Sequence, residues 1–156
     1  MSKHITVAGY EAMQDEFYQL RYKRRPEVTK ALSAAAAEGD RSENAEYIYR
    51  KKELREIDRR IRYLQKRLPD LIVVRQKPTD LEAVFFGARV TVEDDDGVDF
   101  HYHIVGSDEI GPGGEKISIN SPVARALLKK RVGDEVSVST PKGPRYLFIK
   151  AVEYNV

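Results

Sequence analysis

The sequence of 156 residues contains no cysteine. Disulfide bonds, thiolate metal sites and thiol-dependent catalysis are therefore excluded, and a reducing cytosol suits such a chain. No apolar stretch approaches the roughly 20 residues that a membrane-spanning helix requires. The N-terminal segment "MSKHITVAGYEAM" also lacks the apolar core of a signal peptide. We therefore expect a cytoplasmic protein without a membrane partner.

The charge of the chain is divided unevenly between its two halves. Residues 1–77 contain 18 Lys/Arg against 12 Asp/Glu, a net charge of +6. Residues 78–156 contain 9 against 13, a net charge of −4. Because positive charge attracts nucleic acid, the first half is the one that could approach it. We predict two domains with these bounds.

Apolar residues spaced three and four positions apart predict two helices in the first domain. The clearest series consists of Leu54, Ile57, Ile61, Leu64 and Leu68. A less regular series precedes it and contains Pro26, where we expect the helix to kink or weaken. The short segment "EGDRSEN" separates the two series, and its Gly39 is a natural helix terminator. Residues 8–68 should therefore form an antiparallel coiled-coil hairpin.

Beyond Pro69 the pattern changes to short alternating stretches divided by turns, which predicts a small antiparallel sheet. One short helix is predicted in "SPVARALLKKRVGD", with Ser121 as N-cap, Pro122 at its first position and Gly133 after its last turn. The fold class is α+β. His101 and His103 lack further metal ligands, so we interpret them as an exposed pair on a hairpin rather than a zinc site.

Acidic residues gather at the turn between the two predicted helices, and two explanations are open. With Asp40 as N-cap, Glu43 would stand at N3 in a variant of the capping box, and Glu46 would add favourable charge. Alternatively, the carboxylates are ligands for Mg²⁺, which takes oxygen donors and keeps several waters. Two carboxylates would bind Mg²⁺ poorly alone, so the other ligands would come from a partner. The two explanations are compatible, since a cap in the free protein can turn to a metal after docking.

Positive residues form a stripe along the second predicted helix. At about 100° per residue they fall within an arc of roughly 100°, nearly opposite the apolar series. This basic stripe consists of Lys51, Lys52, Arg55, Arg59, Arg62 and Lys66. It is either a solvated helix face or a contact for phosphate groups.

Several motifs resemble the bacterial transcript-cleavage factors of the GreA/GreB family, and its GreB branch most closely. They are "GDRSENAEY", "FFGA", "DDDGV", "SPVARALLKK" and "VEY", and the resemblance covers essentially the whole chain. It implies that the second domain has an FKBP-like fold without prolyl isomerase activity. It also implies that the partner is bacterial RNA polymerase. We expect the factor to be a monomer and not an enzyme itself.

The function implied by the resemblance is the rescue of backtracked polymerase. The hairpin would enter the secondary channel, and its tip acids would help hold Mg²⁺ shared with the polymerase active site. The polymerase would then cut its own transcript, and the isolated factor would bind no metal. The family's essential acids fall on Asp40 and Glu43, while Ser42 and Asn44 lie in the same motif and Glu46 is a weaker candidate.

The resemblance implies two further contacts. The basic stripe would hold the extruded 3′ segment of the nascent RNA. Asn120, Ser121 and Pro122 would dock on the polymerase, although Ser121 and Pro122 can equally serve only to cap their helix.

Three other functions fit parts of the sequence. A channel-occupying inhibitor would share the architecture, but the cleavage-type Asp40 and Glu43 argue against it. A free-standing metal-dependent nuclease needs a pocket dense in ligands, which an exposed tip does not provide. A coiled-coil adaptor would have no use for the acidic tip.

Overall fold

The computed structural model describes residues 2–39 and 43–155. The chain divides into two compact units. The helical unit is Tyr10–Asp70, and the sheet unit comprises Met1–Gly9 and Leu71–Val156. Within the described residues, no helix combines the length and the apolar character needed to cross a bilayer.

The helical unit is a hairpin of two arms, the first of which begins three residues earlier, at Val7. The first arm consists of α1 (Val7–Gln19), a π-helical turn (Leu20–Arg24) and α2 (Arg25–Ala36), and the second of α3 (Ala45–Arg67) and a 3₁₀ turn (Leu68–Asp70). Arg60 on the second arm contacts Glu16 on the first at 2.7 Å, and Asn44 contacts Ala35 at 2.7 Å. Because late residues of one arm meet early residues of the other, the arms are antiparallel. The predicted helical hairpin is confirmed.

The π-helical turn explains the irregular apolar series of the first arm. The backbone N–H of Arg25 donates to the carbonyl oxygen of Leu20, five residues earlier. The wider turn absorbs one extra residue, so that Leu20 and Val28 both pack in the seam between the arms. Pro26 follows this turn and lies inside helix. The irregularity that we predicted near Pro26 is thus a π-helical turn, through which the arm remains helical.

The sheet unit is built around five strands and one helix. The strands are β3 (Arg89–Glu93), β4 (Asp99–Val105), β5 (Lys116–Ser118), β6 (Glu135–Thr140) and β7 (Gly143–Glu153), and the helix is α4 (Pro122–Leu127). The strand order in the sheet is β5-β4-β3-β7-β6. The prediction of a small sheet with one helix is confirmed, and with it the α+β fold class with its FKBP-like second domain. One pairing departs from the predicted antiparallel pattern, because β5 runs parallel to β4.

Twelve buried side chains of this unit pack together in one core cluster. They are Val84, Ala88, Val90, Val92, Ile104, Ala124, Leu127, Val136, Val138, Leu147, Ile149 and Tyr154. Alternate residues of β6 are buried, as expected for a sheet with one covered face. The Tyr154 hydroxyl donates to the carbonyl of Ala83 at 2.5 Å and accepts from the N–H of Phe85 at 2.9 Å. The polar end of this buried ring is therefore satisfied.

Helix α4 begins as predicted and ends earlier. Ser121 is the N-cap, with its hydroxyl accepting from the Ala124 N–H at 3.3 Å, and Pro122 opens the helix. The helix stops at Leu127, and Lys129 adopts a positive φ of 68°. The Lys129 N–H donates to the carbonyl of Val84 at 2.7 Å, so a contact with another segment ends the helix. The prediction that Gly133 ends it was wrong.

Two further strands were not predicted. Strand β1 (His4–Thr6) pairs in parallel with β2 (Ile72–Val74), with Ile5 opposite Val73. Ile5 is fully buried. The segment before the first arm is therefore part of the sheet unit.

Glu109 fixes this N-terminal segment to the loop that follows β4. Its carboxylate accepts from the backbone N–H of Thr6 at 3.0 Å and of Gly106 at 2.8 Å, and also contacts the Thr6 hydroxyl. The segments approach so closely that a Cβ at Gly106 would lie 2.1 Å from the carbonyl oxygen of His4. Glycine is required at this position because any side chain would displace β1.

Candidate functional site

The tip of the hairpin begins where α2 ends. The last helical bonds run from Ala37 N–H to the Ser33 carbonyl and from Glu38 N–H to the Ala35 carbonyl, both at 3.2 Å. Gly39 then takes a positive φ of 132°, in agreement with its predicted role as terminator. The predicted site residues Asp40 and Ser42 lie outside the described residues.

Asn44 joins the two arms at the tip. Its side-chain oxygen accepts from the Tyr47 N–H at 3.0 Å, which makes it the N-cap of α3. Its amide nitrogen donates to the carbonyl of Ala35 at 2.7 Å, at the end of the first arm. An asparagine can do both because its amide carries an acceptor and a donor, whereas a carboxylate only accepts.

This cap corrects the predicted capping box. Asp40 is not the N-cap of the second helix, and Glu43 is not its N3 residue, because the helix begins at Ala45 behind Asn44. Glu43 instead immediately precedes the cap and is exposed. Its carboxylate is therefore not used to start the helix.

Glu46 has a different environment from Glu43. It lies in the first turn of α3, close to the positive end of the helix dipole. Its carboxylate accepts from the Arg50 Nε at 2.8 Å. The favourable charge predicted for Glu46 near the start of the second helix is thus located in the first turn of α3.

The basic stripe is exposed along its whole length. All six of its side chains, from Lys51 to Lys66, are accessible to solvent. Lys51 lies over the Tyr47 ring, with 5.8 Å between its nitrogen and the ring centroid. Across residues 2–39 and 43–155, none of the six forms an ion pair. Their positive charge is therefore available to a partner.

Several arginines of the helical unit outside the stripe are paired with acids. Arg25 contacts Asp58 at 2.7 Å, and Arg50 contacts Glu53 at 2.9 Å. Glu53 also contacts Arg24 on the first arm. Partial burial acts to raise the pKa of Glu53, but hydrogen bonds from Arg50 and Arg24 hold it below its ordinary value. Glu53 is thus neutralised by two arginines and does not reduce the charge of the basic stripe.

The predicted polymerase-docking residues lie at the start of α4. Asn120 and Pro122 are exposed, and the Ser121 hydroxyl is engaged in the helix cap. The structure brings the three together on one turn of the sheet unit. Within this turn, the side chain of Asn120 and the ring of Pro122 are accessible to a partner.

His101 and His103 differ in burial. His101 is exposed and its Nδ1 lies 3.1 Å from the Thr91 hydroxyl. His103 is half-buried, and its Nδ1 has no hydrogen-bond partner within the described part of the chain. The prediction of exposure was correct for His101 and wrong for His103, which stands opposite Lys116 in the parallel pair of strands. In the described ranges, no group of three or more His, Asp or Glu side chains is placed to hold a metal ion.

Sequence reasoning missed the structural role of Asn44, although asparagine directly before a helical stretch is itself a cap signal. Asp40, which has equally good capping potential, lies nearby and obscured it. The exposed tyrosines of the first arm were also missed, and the signal for them is the interleaving of aromatic and basic residues in "FYQLRYKRR".

Comparison with known families gives two matches that together span the chain. Residues 3–73 match the family described as "Transcription elongation factor, N-terminal". Residues 78–154 match the family described as "Transcription elongation factor, GreA/GreB, C-term". The first match ends within β2, and the second begins before β3.

Curated relatives are similar over almost the whole length. Transcription elongation factor GreB of Xanthomonas axonopodis pv. citri is 56% identical over 151 residues, covering 96% of this chain and 90% of the relative. GreB of Pseudomonas aeruginosa is 53% identical over 150 residues, with 96% and 89% covered. Among solved structures, the GreA factor homolog 1 (Gfh1) protein of Thermus thermophilus is 29% identical, with 98% and 99% covered and a TM-score of 0.44. From its family matches and its curated relatives, the chain belongs to the GreA/GreB family of transcription elongation factors.

Proposed function

We propose that this elongation factor places the tip of its hairpin in the secondary channel of bacterial RNA polymerase and stimulates Mg²⁺-dependent cleavage of backtracked nascent RNA. The observation that carries the proposal is the position of Glu43. Its carboxylate is exposed beside the cap of α3, while Asn44 performs the capping. Because Asn44 caps the helix, the carboxylate of Glu43 is available to bind a metal ion at the tip.

Mg²⁺ fits the donor chemistry of the tip. It binds carboxylate oxygens and retains waters, and one or two protein carboxylates are usual in sites that a partner completes. Asp40 and Glu43 would hold the ion together with carboxylates of the polymerase. When bound, Mg²⁺ lowers the pKa of a coordinated water and stabilises charge on the leaving oxygen. The factor supplies and orients ligands, and the polymerase performs the cleavage.

The other tip residues support this arrangement. Asn44 holds the ends of the two arms together through its hydrogen bonds to Tyr47 and Ala35. Glu46 is held by Arg50, so we assign it to the shape and charge of the tip rather than to the metal. Ser42 belongs to the same motif, and we include it on the family resemblance alone.

The basic stripe serves the same function at a distance from the tip. Its exposed cations would contact phosphates of the extruded RNA 3′ segment, so the contact should be insensitive to sequence and weakened by salt. Docking of the sheet unit on the polymerase would use the turn of Asn120, Ser121 and Pro122. Its exposed side chains, together with the negative charge of the second half of the chain, favour a protein surface there over nucleic acid.

The experiment that tests the proposal uses a backtracked polymerase complex with labelled RNA. Cleavage rate and factor binding are measured separately for the wild type, Asp40→Asn and Glu43→Gln. Loss of a metal ligand should slow cleavage by at least about tenfold, the effect of losing roughly 1.4 kcal/mol of transition-state stabilisation, while binding is unchanged. Higher Mg²⁺ concentrations should partly restore the rate.

Glu38→Gln is the matched control. Glu38 is an exposed acid in the same turn but outside the motif, so its amide should leave both cleavage and binding unchanged. Wild-type cleavage by Asp40→Asn and Glu43→Gln would refute the proposed role of the tip. The protein would then be a channel-binding regulator without cleavage activity.

A further inference from the structure

Two tyrosines project from the first arm without contributing to its core. Tyr18 is 51% exposed and Tyr22 is 58% exposed. They are four residues apart, with ring centroids 5.3 Å apart and planes tilted by 45°. An exposed pair of neighbouring aromatic rings is a surface on which other flat groups can stack.

Positive charge surrounds these rings. The Lys23 nitrogen lies 6.0 Å from the Tyr18 ring centroid, and the Arg21 guanidinium carbon lies 5.5 Å from that of Tyr22. Within the described residues, neither Arg21 nor Lys23 forms an ion pair. Their neighbour Arg25 is paired with Asp58. The two cations beside the rings are therefore the ones whose charge remains available.

The π-helical turn brings this group to the surface. Leu20 and Val28 pack in the seam, while the residues of the turn that follow Leu20 are exposed. Arg21, Tyr22 and Lys23 all lie in the turn and are all exposed. Such a turn within an α-helix is often associated with a functional site.

The tyrosines are continuous with the basic stripe of the second arm. A shallow groove between the arms is lined by Arg21, Arg25, Asp58, Ile61, Arg62 and Gln65. Arg62 belongs to the basic stripe, and Arg21 lies beside the Tyr22 ring. Arg21 thus connects the cations of α3 with the aromatic rings of the first arm.

We infer that Tyr18, Arg21, Tyr22 and Lys23 form a binding surface for single-stranded RNA, which we call the tyrosine patch. Bases stack on the two rings, and Arg21 and Lys23 contact phosphates on the path from Arg62. Single-stranded RNA fits better than a duplex because only unstacked bases expose their faces to aromatic side chains. The inference rests on the proposed function, since it adds a base-stacking contact to the phosphate contacts of the basic stripe.

The test measures binding of the full-length protein to a short fluorescein-labelled oligoadenylate by fluorescence anisotropy. An abasic ribose-phosphate oligomer of the same length is the second probe, since it keeps the phosphates and removes the bases. The wild type should prefer the oligoadenylate. Tyr18→Ala/Tyr22→Ala should lose about tenfold or more in affinity for it, because stacking on aromatic side chains strengthens binding per base, and should bind both probes alike.

Two control variants separate stacking from other effects. Tyr18→Phe/Tyr22→Phe keeps the rings and should retain wild-type affinity. Tyr146→Ala removes a tyrosine of the sheet unit that is 41% exposed and should also bind as the wild type does. Thermal unfolding of all variants should match the wild type, because the exposed tyrosines do not pack in the seam.

The cations are tested through salt dependence. Arg21→Ala/Lys23→Ala should reduce the slope of log affinity against log salt by about 0.7 for each phosphate that the variant no longer neutralises. Tyr18→Ala/Tyr22→Ala should lower affinity without changing this slope. The two kinds of variant thus report on stacking and on charge separately.

Unchanged affinity of the Tyr18→Ala/Tyr22→Ala variant for oligoadenylate would overturn the inference, as would failure of the wild type to bind it at low salt. If that variant lost polymerase binding but kept RNA affinity, the patch would be a protein contact instead. The result is independent of the tip acids. Loss of RNA affinity in the tyrosine variant, with wild-type cleavage by Glu43→Gln, would support the tyrosine patch and refute the proposed cleavage role.

Discussion

The two units of the molecule are stabilised in different ways. The sheet unit buries a cluster of mostly aliphatic side chains, of which Leu147, Ile149 and Leu127 have no exposed surface. In the helical unit, the corresponding cluster contains Val28, Ile57 and Ile61, with partly exposed residues packed around it. A hairpin of two helices covers only one side of each helix, so its apolar contact is necessarily narrow.

Charged pairs between the arms supplement this narrow seam. Arg60 contacts Glu16 at 2.7 Å and Arg25 contacts Asp58 at 2.7 Å, while Arg24 contacts Glu53. These side chains are partly exposed, so solvent screens each pair and its contribution to stability is small. The hairpin thus divides its cations into those that join the arms and those, such as the basic stripe, that form no ion pair within the described residues.

A substitution in the sheet core should have the largest effect on the stability of the molecule. Leu147→Ala removes a fully buried side chain from the cluster and should lower the free energy of unfolding by about 2–5 kcal/mol. Urea unfolding followed by amide hydrogen exchange in β6 and β7 measures the loss. Leu81→Ala, at a residue that is 50% exposed, is the control and should change little. A small loss in Leu147→Ala would mean that the sheet core does not dominate the stability of its unit.

A smaller effect should come from the cross-arm pairs. Asp58→Asn removes the charge that Arg25 contacts and should cost less than about 1 kcal/mol at low salt. The cost should disappear near 1 M salt, where the screening length falls to about 3 Å. Thermal unfolding followed by far-ultraviolet circular dichroism at both salt concentrations checks this.

The matched control for Asp58→Asn is Glu56→Gln. Glu56 is an exposed acid on the same helix, and the described residues include no ion-pair partner for it. It should unfold like the wild type at both salt concentrations. An Asp58→Asn variant whose loss is the same at high and low salt would show that this contact acts through packing or hydrogen bonding rather than charge.

Local patterns in the sequence were sufficient to predict the hairpin and its basic stripe. The spacing of Leu54, Ile57 and Ile61 determines which side of the helix is buried, and the position of Lys51 and its neighbours on the opposite side follows from helical geometry alone. Ser121 and Pro122 likewise carry a local signal for a helix start, and α4 begins there.

Features that depend on contacts between distant segments could not be predicted in this way. Asp40 and Asn44 are both good N-caps in isolation. Asn44 is the cap in the structure because its amide also reaches the Ala35 carbonyl across the tip, a contact between the two arms. The pairing of β1 with β2 and the end of α4 at Lys129 depend on partners far away in the sequence.

The burial of His103 also depends on contacts between distant segments. The prediction that it supports has the smallest expected effect on stability. Burial lowers the pKa of His103, Arg89 and Lys116 lower it further, and Glu109 acts in the opposite direction. The folded state therefore binds a proton less readily than the unfolded chain, in which a histidine has a pKa of about 6.5. The contribution of His103 to the free energy of unfolding should be fully present above that pH, and it should be lost as the pH decreases through the folded pKa.

His103→Gln should remove this part of the acid sensitivity, which thermal unfolding at a series of pH values measures. His101→Gln, at the exposed histidine two residues earlier, should retain it. If the wild type and His103→Gln were equally sensitive to acid, the sheet unit would lose stability in acid through its carboxylates. Charged groups, rather than a buried imidazole, would then be the source of the pH dependence in both units.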